Sequence, residues 1–552
     1  MGWRVALLGL CAAAAAIAAA WPASRAFAQN FQQVNPGGIE SEQRRQQERL
    51  ERQQQAPRQQ GPAVIGPARP GAGPLVPGGP KFLLRNVTFD DSKFLTREEL
   101  EAIAKPYVGR NIDFADLQKL IAAINELYSK KGIVTGIATL PPQQVSGGVV
   151  HIKLTEGRLG KLSVAGQVQT SEDYVLQRVP VTPGEVIDVH HVGRNVTWFN
   201  RTNDTQIRAL LQPGTTFGLT DIQLAVTEAP IHALQVFFDN QGVQTTGRYQ
   251  GGAYYRRSGM LGVDDRFTFY GTKSQGNLNG NVSYSIPVNI WGGRVGASYT
   301  QGAINIIQGP FKVLEVTGES KSAAVNFTQP VLATDEWLVL INAAGTYSIS
   351  QTRFAEFKVT DDRTMKGTGG IGVTHTGERH SFTFSPAANV ARSHSDITNR
   401  DRDLLIWSGT WNGYWRVPEN FSISVLGSAQ WTDDKLLPGD QLFQIGGPTT
   451  VRGFPTNAVA GDSGYYSNAE LHRNMSDLIK GLDVYVFVDR GEVFSTFPER
   501  TILTSAGAGM SLTPWPAVTV EASIGFPWND VVPNTRKSEA YFRGIFRPLM
   551  LL

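Results

Sequence analysis

One cysteine, Cys11, stands in 552 residues, and it falls inside the apolar start of the chain. Removal of that start as a leader leaves no thiol, which excludes disulfides, thiolate nucleophiles and cysteine metal sites. Excess charge of one sign is missing too. Lys+Arg 51 against Asp+Glu 48 leave a formal +3, and no run interleaves basic with aromatic residues, so no nucleic-acid partner is expected. Mean hydropathy of -0.19 excludes a bundle of membrane helices. It does not exclude a barrel, whose strands alternate lipid-facing and lumen-facing side chains. There is no P-loop, no H-E-x-x-H pair and no cysteine metal site, and His190-His191 lies at a predicted module helix start, where surface or capping use is expected rather than metal binding, so neither metal nor other cofactor is expected. What the chain does have is Gly 58 and 10% aromatics at only 18% charge, a mixture suited to many strands and turns.

Residues 1–28 read as a secretory signal, with Arg4, the apolar run from Val5 to Ala20, and Ala26-Phe27-Ala28 as the cleavage site. Leu10 is too bulky for the small residue a lipoprotein site needs before Cys11. Residues 29–55 form an arm in which Glu40 to Gln55 is built from Gln, Arg and Glu, all good helix formers. A helix polar all round has no face for an ordinary core, so it is either solvated or lodged in a polar cavity. Residues 56–80 are a Pro/Gly-rich linker without apolar period, spanning on the order of 70 Å if extended.

Residues 81–157 show the order strand, helix, helix, strand, strand, and residues 158–229 repeat it at similar length. From residue 230 to 552 come sixteen candidate strands with period-two alternation, as in Leu234, Val236 and Phe238 against Gln235 and Asp239. The predicted fold is therefore two α+β modules followed by a transmembrane antiparallel β-barrel of about 16 strands. Residues 433–463 connect strands eleven and twelve, in a loop long enough to fold back into the lumen. Outer-membrane barrels commonly end in an aromatic residue, and the final Leu551-Leu552 departs from that pattern; Phe542 and Phe546, slightly inside the end, are expected to serve instead.

That loop carries Val451-Arg452-Gly453-Phe454, an arginine among glycines and hydroxyls that needs an anion. The best candidate is Asp489 in Phe487-Val488-Asp489-Arg490-Gly491, on the same strand face as Tyr485 and Phe487. A guanidinium fork fits a carboxylate, and Gly453 lets the loop tip turn so that Phe454 packs beside the strand aromatics. Gly461-Asp462-Ser463-Gly464 matches the surroundings of a serine-protease nucleophile, but no histidine stands in a companion motif, so no catalysis is expected.

Asn125-Glu126-Leu127-Tyr128, Gly132-Ile133-Val134-Thr135, Leu140-Pro141-Pro142-Gln143 and Glu156-Gly157-Arg158-Leu159 resemble the polypeptide-transport-associated (POTRA) domains of two-partner secretion transporters. The ordered pair of Val451 to Phe454 and Phe487, Asp489 and Gly491 resembles the two signatures of the wider POTRA-plus-barrel superfamily. The resemblance implies an outer-membrane transporter with periplasmic modules, exporting a large secreted partner without ATP. It implies that Arg452 meets Asp489 on the inner wall and that the arm is a plug helix. It also implies substrate capture, in unfolded form, on the second-strand edges of the modules: Val134, Ile137 and Leu140, then Gln206, Ile207 and Leu210. Outer-membrane lipid, periplasmic chaperones and the barrel-assembly machinery are the other expected partners. An assembly factor of the same superfamily usually carries more than two modules, and a passive porin would need neither modules nor paired motifs.

Overall fold

The computed structural model describes residues 36–54, 62–66, 78–309, 312–418, 420–495, 500–532 and 536–550. The expected secretory signal and most of the expected linker lie outside them. The chain divides into two compact units: residues 56–229 with 261–264, and the remainder.

In the first unit, residues 82–156 build one sheet in the order Asn86–Phe89, Val149–Glu156, Gly136–Thr139. Helix Phe114–Lys130 covers it, because Leu117, Leu120, Ile124 and Tyr128 recur every three or four residues and fall on one buried face. Asp113 caps its start through a reciprocal pair of bonds with Asp116, and Gly132, at φ 69°, turns the chain at its end. The expected strand from Phe82 to Phe89 is broken in two. Leu84 N–H turns to the Arg110 carbonyl, so Phe82–Leu83 pairs with Asn111–Ile112 while Asn86–Phe89 joins the main sheet.

The second module repeats the design with Gln206–Pro213, Leu219–Thr227 and Arg158–Ala165 beneath helix Val189–Thr202. One side-chain device recurs in both. Ala138 N–H donates to Asn125 Oδ1 (2.7 Å) while Asn125 Nδ2 donates to the Ala138 carbonyl (3.2 Å). Asn200 makes the same two bonds with Ile207, at 2.8 and 2.9 Å. Each amide thus acts as one residue of a further strand. A correction follows for the second module, because Gln206–Pro213 is not its edge: Val64–Ile65 pairs in parallel with Ala209 and Leu210. The supposed linker is therefore not without structure there. Two β-branched residues between Pro62 and Pro67 meet an open row of N–H and C=O groups, and Ala209 N–H donates to the Ala63 carbonyl (3.0 Å).

The second unit is a closed barrel of sixteen consecutive antiparallel strands, from His232–Asp239 to Glu539–Phe546. Side chains alternate across its wall. In the thirteenth strand, Leu482–Phe494, Val486 and Val488 face outward while Phe487 and Asp489 are buried. Outward-facing Val325, Ile341, Val390 and Leu405 continue the apolar surface, with Phe542 and Phe546 on the last strand. Closure pairs the first strand with the last, so no described strand of the barrel is left as a fully open edge, as lipid requires. No described helix is long and apolar enough to cross a membrane.

Helix Pro36–Gln54 lies inside this barrel, which decides between the two readings of the arm. It begins four residues before the expected Glu40. Its Glu42, Gln43 and Gln46 are buried against polar wall residues: Gln43 Nε2 donates to Thr272 Oγ1 (3.0 Å) and Gln250 Nε2 donates to Gln46 Oε1 (3.0 Å).

Candidate functional site

The loop between the eleventh strand (Phe421–Trp431) and the twelfth (Ser463–Asn474) folds into the lumen as a short hairpin, Phe443–Ile445 against Val459–Gly461. Gly446 and Gly447 turn its end at φ 109° and 96°, where a side chain would be strained and would meet Ala458 or Thr456. Gly446 N–H donates to Thr450 Oγ1 (2.8 Å) and Gly447 N–H to the Val451 carbonyl (3.0 Å), so the turn delivers Arg452 in one orientation.

Asp489 accepts three bonds from that one residue. Arg452 Nε donates to Oδ2 (2.7 Å), Nη2 to Oδ1 (2.7 Å), and the backbone N–H to Oδ2 (3.0 Å). The guanidinium also lies over the Phe487 ring, 3.5 Å from its centroid. Both charges are withdrawn from water, Arg452 being 6% and Asp489 0% exposed. A pair so placed depends on geometry: loss of either partner strands a buried charge, at a cost of about 3–5 kcal/mol.

A second acid completes the site. Arg452 Nη1 donates to Glu470 Oε1 (2.5 Å), and Glu470 also binds Ser424 Oγ (3.2 Å) and His472 Nε2 (2.9 Å). His472 reaches Asp483 through Nδ1 (2.6 Å) and stacks on Tyr485 at 4.9 Å between centroids. Asn468 lies opposite Asp489 and Glu470 opposite Phe487 in the ladder of strands twelve and thirteen, so adjacent wall positions converge on one guanidinium.

Glycines set how closely loop and wall approach. A Cβ on Gly491 would stand 2.9 Å from Val451 Cγ2 and 3.0 Å from Ile445 Cδ1. The glycine of the wall motif therefore makes room for the side chain that begins the loop motif. Gly453, at φ 88°, passes Gly525 of the fifteenth strand so closely that a Cβ on Gly525 would lie 2.6 Å from its nitrogen. Tyr541 of the last strand accepts the Gly453 N–H (3.1 Å) and donates to the Phe454 carbonyl (3.0 Å).

The lumen helix reaches the same loop. Thr449 Oγ1 donates to Glu42 Oε2 (2.5 Å), Arg45 Nε to Thr449 Oγ1 (3.2 Å), and Asn457 Nδ2 to the Gly38 carbonyl (3.0 Å). Helix, loop and wall thus form one connected polar network.

The profile of the haemolysin secretion/activation protein family ShlB/FhaC/HecB matches residues 218–513. The chain belongs to this family. A ShlB-type POTRA domain profile matches residues 82–157. The haem/haemopexin transporter protein HuxB of Haemophilus influenzae is 24% identical over 493 residues, covering 84% of this chain and 86% of HuxB. The outer membrane transporter CdiB of Dickeya dadantii is 24% identical over 412 residues, covering 71% and 73%. Among solved structures, CdiB from Escherichia coli superposes with a TM-score of 0.66 at 21% identity, over 95% of this chain and 100% of that one.

As a member of the ShlB/FhaC/HecB family, the chain is an outer-membrane transporter of two-partner secretion, its POTRA modules periplasmic and its counterpart a large secreted protein. The structure brings Arg452 together with Asp489, and Val451 with Gly491. It places Phe454 elsewhere than expected: the ring is fully buried among Ile445, Val459, Tyr466 and Val493, away from Tyr485 and Phe487. The apolar pocket behind the hairpin offers it more contact than the ring already held under Arg452.

The expected capture residues are not one surface. Val134 and Leu140 flank the strand Gly136–Thr139, in which Ile137 is exposed. Ile207 is fully buried in the second module's core, Leu210 pairs with Ile65, and the Gln206 side chain bonds the Asn200 and Asn203 carbonyls. Sequence reading saw Glu470 only as part of the run that follows the loop motif, without a partner, and missed Gly525 and Tyr541. For Glu470 a signal existed: it has the same parity as Tyr466 and Asn468, whose side chains point inward.

Proposed function

We propose that the lumen, once helix Pro36–Gln54 leaves it, is the conduit for the secreted partner, and that the Arg452 network holds the barrel in its resting form. The observation that carries this is how the helix is held. Beside the packing of Leu50, its bonds to the wall include those of the Gln43, Gln46 and Gln47 amides and the ion pair Arg49–Glu521 (3.0 Å). Water or a passing polypeptide replaces such bonds at small net cost, whereas a packed apolar face would resist removal. A cavity of about 290 Å³ already runs beside the helix, lined by Ser320, Ser322, Thr346, Ser348, Ser350 and Thr410. These short hydroxyls, with Ile349, Leu442 and Phe443 in the same lining, offer a passing extended chain hydrogen-bond partners.

Capture falls to the first module in this reading. The second module's sheet edge holds the chain's own Val64–Ile65. The first has an apolar groove of about 550 Å³ between Phe82, Phe114, Leu117, Leu140, Val145 and Val150 and, separately from it, the exposed Ile137 on strand Gly136–Thr139. An incompletely folded partner supplies both apolar side chains and free backbone groups for such a surface. Passage needs no nucleotide, since folding outside biases it. Lipid surrounds the apolar band, and periplasmic chaperones and the assembly machinery serve the barrel's own insertion.

No catalytic step belongs to this reading. Ser463 Oγ accepts the Thr432 N–H (3.0 Å), and Asp462 accepts the N–H groups of Leu436 (3.2 Å) and Leu437 (2.8 Å). The protease-like tetrapeptide is thus the stem of the folded-in loop. The test is co-expression with a candidate large secreted partner protein. The partner should reach the medium only when this chain is present; equal release without it would overturn the assignment.

A further inference from the structure

The barrel closes where its first strand meets its last, and this ladder is short. It runs from Val236↔Phe546 to Asp239↔Arg543, four of the eight residues of the first strand, whereas the next ladder uses all eight from His232↔Arg257 to Asp239↔Gln250. Main-chain bonding alone therefore makes this seam weaker than its neighbour. Two further features stand at it. Asp239 and Arg543, paired in register across the seam, are both 0% exposed and joined by Nε to Oδ2 (2.9 Å) and Nη2 to Oδ2 (2.7 Å). Asp239 Oδ1 also accepts the Gln241 N–H (2.9 Å), which fixes the carboxylate.

The lumen helix spans the same place. Gln46 Oε1 accepts from Arg543 Nη2 (3.4 Å) on the last strand and from Gln250 (3.0 Å) on the second. One turn on, Leu50 is fully buried between Phe237 of the first strand and Ile545 of the last, with Tyr254 and Tyr270 completing the cluster. This is where an otherwise polar helix carries its buried leucine. Arg49 reaches Glu521, whose ladder partner is again Arg543.

From this placement we infer that the helix is a staple for the barrel seam as well as an occupant of the lumen: Leu50 packs between the first and last strands, and Gln46 ties the last strand to the second, across the Asp239–Arg543 pair. Helix departure then removes packing from the shortest ladder of the barrel and leaves it to the buried pair and to the bonds of Asn240 and Arg248 with residues 539–542. Seam stability is coupled to helix occupancy, whereas ladders on the opposite wall are indifferent to it. The inference concerns the barrel itself and does not depend on what is exported.

Amide hydrogen exchange on the full chain in detergent micelles tests it. Gln46→Ala/Leu50→Ala changes no strand residue, so the barrel still assembles. Exchange at Val236 to Asp239 and Arg543 to Phe546 should rise on the order of tenfold, while the ladder between Phe357–Thr376 and His380–Ser395 keeps its rates. Asp239→Asn should speed the same seam amides; if that variant does not assemble, the helix variant decides alone. Unchanged seam exchange in the helix variant, or an equal rise in every ladder, would overturn the inference.

Discussion

Arg452 and Asp489, 37 positions apart, share a two-pronged ion pair that the arginine's own backbone N–H completes. The loop is thus fixed both in its side chain and in its main chain by one carboxylate. Asp489→Ala and Arg452→Ala should each destabilise the barrel by about 3–5 kcal/mol, because each leaves a buried charge. The double variant should cost less than the sum, with a coupling on the order of 2 kcal/mol. Heat-unfolding of the purified barrel measures this, and strict additivity would deny the pair. Both single variants should insert yet export poorly.

Gly491 and Val451 offer a steric test. Gly491→Ala puts a Cβ 2.9 Å from Val451 Cγ2, so it should cost about 1–3 kcal/mol as overpacking does. Adding Val451→Ala should recover most of the loss. If Val451→Ala only adds to the damage, the glycine has another purpose.

The Arg49–Glu521 pair tests how the helix is retained. Arg49→Glu sets like charges against each other where the bond is now 3.0 Å. The helix should leave the lumen more often, and single-barrel conductance in planar bilayers should rise several-fold. Wild-type conductance would show that the pair does not retain it.

In the second module, Glu228 accepts N–H bonds from Val168 (3.0 Å), Gln169 (2.9 Å) and Thr170 (2.7 Å). Burial alone would raise its pKa, but these bonds outweigh it and hold the carboxyl below its ordinary 4.5. A depressed folded pKa contributes stability that is present above 4.5 and lost as pH falls through the folded value. Protection of the amides at residues 168–170 against exchange should therefore fall as pH drops below 4.5, and Glu228→Gln should flatten that fall.

Much of this is legible in the sequence. Period-two alternation marks a barrel because lipid and lumen impose opposite chemistries on neighbouring residues, and the strand count placed the arginine loop between strands eleven and twelve, where it stands. The unread parts are relations between distant segments. Val64–Ile65 is too short to show a period, and only the open edge at Ala209 makes it a strand. Glu470 and Tyr541 acquire their partners from wall curvature, and Gly525 from a main-chain approach that no local pattern encodes. The polar arm was ambiguous because its composition suits water and a polar lumen equally well.

The central claim is that export requires the helix to leave the lumen. Gln43 and Thr272 are hydrogen-bonded at 3.0 Å, and Cys11 lies in the expected leader, so Gln43→Cys with Thr272→Cys introduces one defined pair. Secretion of the partner into the medium is measured with this pair oxidised and then reduced. The account predicts no secretion when oxidised and recovery on reduction. Secretion at the wild-type rate through the oxidised barrel would contradict it.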